Sequence, residues 1–346
     1  MTSISTFALA ASPRLTVTQA QQALAKAQVE VSSGRFADIG LGLGGGSGTY
    51  VALNAQQSRL QAIKDTNGTT AATMTSAYSA LDTLRTTATS FLASLTQSSG
   101  AGSVSGTLVA TAGANLDSLT GTLNTTVGGN AIFGGINAAA PPMTAYTAGS
   151  APKAAVDASF ASAFPGTTQD SAAASAISGP DMQAYLDNGF SALFGSGYQG
   201  TWSAASDDVP TAQISTTETV ATSVSANDAP FRQLAQAYAM VKEFGGSNFG
   251  GAAGQAVIAS ATKLVSSAIA GLTSAQAGIG LSQAAVSDAN DRMTTQIDYL
   301  STRASDMVAV DPSALATQIS GLQTQIQASY EITSQLQQLS LVNYLK

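Results

Sequence analysis

The 346-residue sequence contains no cysteine and no histidine. Their absence excludes disulfides, Cys or His metal sites, and Cys–His or Ser–His catalysis. Charge is scarce too: Asp, Glu, Lys and Arg make up 10% of the chain, with 13 basic residues against 20 acidic ones and a net charge of −7. A basic footprint for nucleic acid is therefore missing. No P-loop, H-E-x-x-H or EF-hand pattern occurs. Asp207-Asp208 is the one adjacent acid pair, and solvent is its expected surrounding. Nothing points to catalysis, a cofactor or a metal. The start, Met1-Thr2-Ser3-Ile4-Ser5-Thr6, lacks the basic region and apolar core of a cleaved signal peptide. No apolar run reaches the roughly 18–20 residues of a membrane span, so membrane insertion is not expected.

What the chain does have is helical periodicity, strongest at its end. Asp311-Pro312 marks a helix start: Asp accepts from the first free N–H groups, and Pro lacks the N–H that would go unpaired there. Leu315, Ile319, Leu322, Ile326, Tyr330, Thr333 and Leu336 then recur at steps of three and four, one apolar stripe on a helix. The stripe continues into an apolar ending with Leu339, Leu341, Tyr344 and Leu345. At the other terminus Phe7, Ala10, Val17, Leu24, Ala27 and Val31 follow the same spacing as far as Ser33-Gly34, a helix stop because Gly tolerates the left-handed conformation. Two narrow seams suit pairing into a coiled coil. Burying a Leu or Ile stabilises by roughly 1.5–3 kcal/mol. Ordering costs about 1–2 kcal/mol per residue. So thin a stripe is expected to order fully only when many copies pack.

Between the termini lie two long heptad patterns. The first includes Leu53, Leu60, Ile63, Met74, Ala77, Leu81, Leu84, Ala88, Phe91 and Leu95, with Asn67-Gly68 as an expected weak point. The second includes Ile258, Ala261, Val265, Ala268, Leu272, Ile279, Val286, Ala289, Met293 and Leu300, with Gly278 and Gly280 as expected bends. Patterns beyond about 25 residues suggest an extended bundle. Gly40 to Gly48 reads as a flexible connector; its G-x-G-x-x-G follows a helix rather than the strand a dinucleotide site needs. A shorter helix over Leu108 to Val127 is expected to end at Gly128-Gly129, and Ile132–Ile136 to form a short strand and turn. Seven of the nine prolines fall between 141 and 230, together with Trp202 and most of the Phe and Tyr residues of that half. Pro interrupts long helices, and clustered aromatics can close a small core. Pro180–Asn188 reads as a helix, Thr211–Val224 as strand, and Asp228 as the cap of a returning helix.

The expected fold is mainly α: an elongated antiparallel helical bundle or coiled coil built from both termini, with a small inserted α+β domain. The expected divisions are 1–35 with 312–346, 36–140 with 229–311, and the insertion 141–228. Its dispersed arginines, among them Arg59 and Arg303, read as solvated faces.

Paired apolar terminal helices, Ser32-Ser33-Gly34-Arg35, Ile132-Phe133-Gly134-Gly135-Ile136-Asn137, Ala229-Pro230-Phe231-Arg232 and the ending Gln337 to Leu345 resemble bacterial flagellar axial proteins. Among these the chain is most similar to the hook-associated protein 3 (FlgL) family of hook–filament junction proteins, in its alphaproteobacterial form. The resemblance covers nearly the whole chain, except that the usual Asp- and Pro-containing turn after the first helix is replaced by the Gly run. It implies a flagellin-like fold and export to the extracellular flagellum without a cleaved signal peptide. It also implies a ring of copies with hook-associated protein 1 on the hook side, flagellin on the filament side, and a flagellar export chaperone. The assembly interface would comprise Phe7, Val17, Leu24, Val31, Leu315, Ile319, Leu322, Ile326, Tyr330, Leu336, Leu339, Leu341, Tyr344 and Leu345. Flagellin itself is the alternative. A secreted coiled-coil tip, adhesin or phage tail protein would keep the helices but not the Phe-Gly-Gly and Tyr-Leu features. An enzyme is the least expected.

Overall fold

The computed structural model describes the backbone of residues 6–99 and 104–344, and the side chains of 14–99 and 104–335. Nine α-helices among the described residues follow from the periodicity. They are α1 (Thr6–Ser33), α2 (Ile39–Leu43), α3 (Ser47–Ser98), α4 (Gly106–Leu123), α5 (Ala151–Ala163), α6 (Gly179–Tyr185), α7 (Ala229–Phe244), α8 (Gly251–Val308) and α9 (Pro312–Tyr344). Two small antiparallel hairpins complete the fold: β1 (Thr126–Val127) with β2 (Asn130–Ala131), and β3 (Thr211–Gln213) with β4 (Thr219–Ala221). The chain divides into two compact units, residues 1–61 with 294–346 and residues 62–293, and both draw on α3 and α8.

In the larger unit the heptad stripes are the core. Met74, Ala77, Leu81, Leu84, Ala88, Phe91 and Leu95 of α3 are buried, as are Ile258, Ala261, Val265, Ala268 and Leu272 of α8. By length and composition α8 could cross a membrane, contrary to the sequence-based expectation; its Ala-rich stripe is packed inside this unit instead. Helix α7 is buried continuously from Leu234 to Val241, as a helix wrapped on all sides must be. Phe91 of α3 meets Tyr238 of α7 edge-on at 5.1 Å. The expected aromatic core of 141–228 does form, but it closes on α7 and the residues after it. Phe160, Tyr185 and Phe190 surround Phe244, with ring centroids 5.3–5.5 Å away. Trp202 is fully buried, stacked on Tyr146 at 5.2 Å. Lys153 of α5 pairs with Asp157 and, at 3.3 Å, with Glu243 of α7.

Several local expectations are corrected. Asn67-Gly68 does not interrupt α3, and Gly278 and Gly280 do not interrupt α8. Asn67 is polar because its amide donates to the Ile214 carbonyl at 2.9 Å, in the β3–β4 hairpin, and to Asn290 Oδ1 at 2.8 Å. Arg292 reaches Glu218 across the same hairpin at 2.5 Å. The Gly40–Gly48 run is helical rather than a flexible connector. Asp38 caps α2 by accepting from Leu41 N at 2.9 Å, and a 3₁₀ turn over Gly44–Gly46 leads into α3. Gly128-Gly129 does not end α4, which stops at Leu123; it is the β1–β2 turn, with both φ angles positive. Asp228 occupies the N-cap of α7, yet its side chain makes no capping bond. Asp207 and Asp208 are exposed, as expected, though Asp207 accepts from Asn227 at 2.8 Å.

The Phe-Gly-Gly stretch is a close-approach turn, not a strand. Phe133 is buried and its carbonyl accepts from Ala226 N at 2.8 Å. Gly135 has φ +61°, and a Cβ there would lie 2.4 Å from Ser206 O and 2.5 Å from Asp208 O. Left-handed backbone costs an L-residue roughly 1–2 kcal/mol, and overpacking adds about 1–3 kcal/mol. Gly135→Ala is therefore expected to destabilise the larger unit by about 2–5 kcal/mol in urea unfolding. Gly68→Ala meets open space and is expected to stabilise by up to about 1 kcal/mol. Equal midpoints for the two variants would contradict this account.

Candidate assembly surfaces

The site the sequence points to lies in the smaller unit, where α1 and α9 pack together. Their joint is built from backbone. Gly34, with φ +68°, ends α1 by donating to Glu30 O at 2.9 Å. The chain then pairs with the stretch before α9: Phe36 N donates to Val308 O at 3.0 Å, and Val310 N to Gly34 O at 3.2 Å. Asp311 starts α9 as expected, accepting from Ser313 N at 2.8 Å. The helices run antiparallel from this joint, and Gln21 Nε2 donates to Tyr330 OH at 3.0 Å further along.

Glu30 was not singled out from sequence. It is buried in the last turn of α1, accepts from Ala37 N at 3.1 Å, and lies 3.9 Å from Lys26. An acid in the last turn of a helix opposes the macrodipole. That mismatch was the legible signal that Glu30 has another partner.

The seam is thin. Ala20, Ala27 and Leu315 are buried. Val17, Leu24, Ile319, Leu322 and Ile326 are half-buried. Val31 is 45% exposed and Tyr330 54%. Val31 leaves the seam because a straight helix drifts from a strict seven-residue repeat, so Glu30 takes the inward position. The side chains of Phe7, Leu336, Leu339, Leu341, Tyr344 and Leu345 lie outside the described residues.

Exposed apolar surface concentrates in this unit. Among the described residues, eight of the eleven large exposed apolar side chains belong to it: Leu15, Val29, Val31, Leu41, Val51, Tyr299, Tyr330 and Ile332. The unit is a third of the chain, so exposed apolar side chains are enriched in it. On α9 the polar positions are mostly Ser, Thr and Gln. Along α9, Thr317, Ser320, Thr324, Ser329 and Thr333 each donate to the carbonyl four residues earlier, at 2.7–3.0 Å. Along the part of α3 in the larger unit, Thr66, Thr73, Thr75, Ser76, Thr83, Thr89, Ser94 and Thr96 also donate to the carbonyl four residues earlier, at 2.8–3.2 Å.

Comparison with known families adds the assignment. Residues 4–138 match the bacterial flagellin N-terminal helical region, and residues 262–345 match the bacterial flagellin C-terminal helical region. None of the curated proteins gives a significant match. The two matched segments carry the helices that pair at the joint, α1 and α9, together with the long helix α3 and most of α8. The chain belongs to the flagellin superfamily and is a structural protein of the bacterial flagellum.

Proposed function

We propose that this flagellar subunit is the hook-associated junction protein that links hook to filament. The observation that carries assembly is the half-buried α1–α9 seam, set in the unit that holds most of the exposed apolar side chains. Such surface is stable in water only when covered, and copies of the same chain cover it as they add to a growing tip. The junction role rests on the Asn343-Tyr344-Leu345 ending and the Ile132–Asn137 stretch, in which the chain resembles the junction family. Hook-associated protein 1 would lie on the hook side and flagellin on the filament side, with an export chaperone holding the chain before secretion. Residues 141–228 would form the outer domain, with 36–140 and 229–311 beneath it.

Flagellin is the second reading, and the two family matches fit it as well as the first. Immunogold labelling of intact flagella, with antibodies against residues 141–228, separates the two. Label confined to the hook–filament boundary is expected. Label along the filament would make the chain flagellin, and unlabelled flagella would overturn both readings.

A further inference from the structure

Charge is unevenly divided. The larger unit holds seven basic and fourteen acidic residues, the whole net charge of −7, while the smaller unit holds six of each. Inside the smaller unit the sign depends on the segment. Residues 1–61 have four Lys or Arg against two Asp or Glu, and residues 294–346 have two against four. Among the described residues these opposite charges do not pair across the two segments within one copy. Among the described residues of this unit the ion pair present is Lys26–Glu30, with both members on α1. Arg59, Asp298 and Asp306 are exposed, and among the described residues none of the three has an ion-pair partner or a side-chain hydrogen bond.

Arg59 and Asp298 stand beside bare apolar surface. On α3, Val51, Ala55 and Arg59 stand four residues apart on one ridge, and Val51 is 64% exposed. On α8, Asp298 adjoins Tyr299, which is 63% exposed, and Asp306 lies on the Asp298 ridge. Arg303 follows Tyr299 by four residues and leaves this surface net negative. The two surfaces are at matching height. Asn54 of α3 and Ala304 of α8 line one recess of about 100 Å³, and the helices run antiparallel past it. Five residues further along each, Arg59 is level with Tyr299.

We propose that neighbouring copies associate side by side through these two surfaces: the Val51–Arg59 ridge of α3 in one copy seats against Asp298–Tyr299 of α8 in the next. The inference rests on the reading of the chain as a self-assembling subunit. Arg59 pairs with the Asp298 carboxylate and lies over the Tyr299 ring; the apolar contact supplies area, and the charge pair fixes height. Each copy presents a different surface on each side, so the contact builds rings or helices rather than a closed dimer. The contact falls in the electrically neutral unit, where approaching copies meet no net repulsion.

The test is incorporation into flagella in a strain lacking its own copy of the gene, with the wild-type chain as reference. Arg59→Glu alone and Asp298→Arg alone are each expected to incorporate at least tenfold less than wild type. Co-expression of the two variants is expected to restore most of the loss, because alternating copies regain opposite charges at every contact. Circular dichroism of each purified variant is expected to match wild type, since both positions are exposed. Wild-type incorporation by Arg59→Glu alone would overturn the proposal and leave the assembly reading standing, as would co-expression no better than the single variants. Failure of the wild-type chain to incorporate would overturn the assembly reading, and this proposal with it.

Discussion

Replacing Leu322 and Ile326 of α9 together by Asp is expected to abolish incorporation into the flagellum while leaving the larger unit folded. Both side chains are half-buried against α1 in the single copy. Full burial of a Leu or Ile stabilises by roughly 1.5–3 kcal/mol. Only part of that is still unrealised in the isolated chain, so up to about 1 kcal/mol per residue remains to be gained on assembly by the same scale. The variant forfeits this gain twice and must also bury two carboxylates, each of which costs several kcal/mol without a partner. A total of at least about 4 kcal/mol per copy corresponds to roughly a thousandfold in affinity. Both side chains lie outside residues 62–293, the larger unit. The measurement is quantitative blotting of sheared flagella, beside urea unfolding of the purified chain. Incorporation within tenfold of wild type would remove α9 from the assembly surface. Loss of the main unfolding transition would show that the seam supports the larger unit too.

Alkaline pH is expected to unfold the larger unit cooperatively. Burial pushes the Tyr146, Tyr198 and Tyr238 phenols well above the usual range, with the Glu243 charge adding to the shift at Tyr146. Burial raises Tyr185 to about 12, against 10.0 for a free phenol. At Lys153 burial works downward, but the hydrogen bond to Asp157 and the Glu243 charge outweigh it and leave the ammonium raised. The direction is the same for all five groups. Below the ordinary pKa both folded and unfolded chains hold the proton and stability is complete. Above it the unfolded chain releases protons that the folded chain keeps, so stability falls until the folded pKa is passed. Each such tyrosine contributes about 1.4 kcal/mol per pH unit, so four together contribute roughly 5–6 kcal/mol per unit. Domains are typically stable by about 5–15 kcal/mol, which places unfolding between about pH 11 and about pH 13. Phenolate absorbance and far-ultraviolet circular dichroism should therefore change together. Complete ionisation of all nine tyrosines with an intact helical signal would contradict the burial of these four.

The helices were legible in the sequence because their stripes obey one period, and burial then followed the stripe almost residue by residue, from Met74 to Leu95 and from Ile258 to Leu300. Local irregularities were not. Asn67 reads as a flaw in its own helix, and only Ile214, 147 residues away, explains it. The Gly40–Gly48 run has poor helix propensity, yet the Asp38 cap and the continuation into α3 hold it helical. Gly128-Gly129 can stop a helix or turn a hairpin, and the choice is made by pairing at Thr126–Ala131. In the proposed assembly surface the apolar stripe was readable, while the proposed charge partners were not. Arg59 looks like any solvated arginine until its height beside Tyr299 is known.

The hydroxyl rows of α3 and α9 bear on how such a chain can be soluble alone and dry when assembled. A serine or threonine that donates to its own helix has its proton already placed. Covering it strips little water that would have to be replaced, whereas a lone buried hydroxyl would cost on the order of 1–3 kcal/mol. Threonine in this state turns its methyl group outward. To bulk water such a face is wettable through the lone pairs it keeps. To an arriving helix these hydroxyls present no free proton, and on α9 the glutamine amides are left as the donors that need a mate. Where such hydroxyls meet a neighbour, a small tilt or shift strands no proton, so a contact fixed in height by other groups can still give a little as a polymer of these subunits flexes.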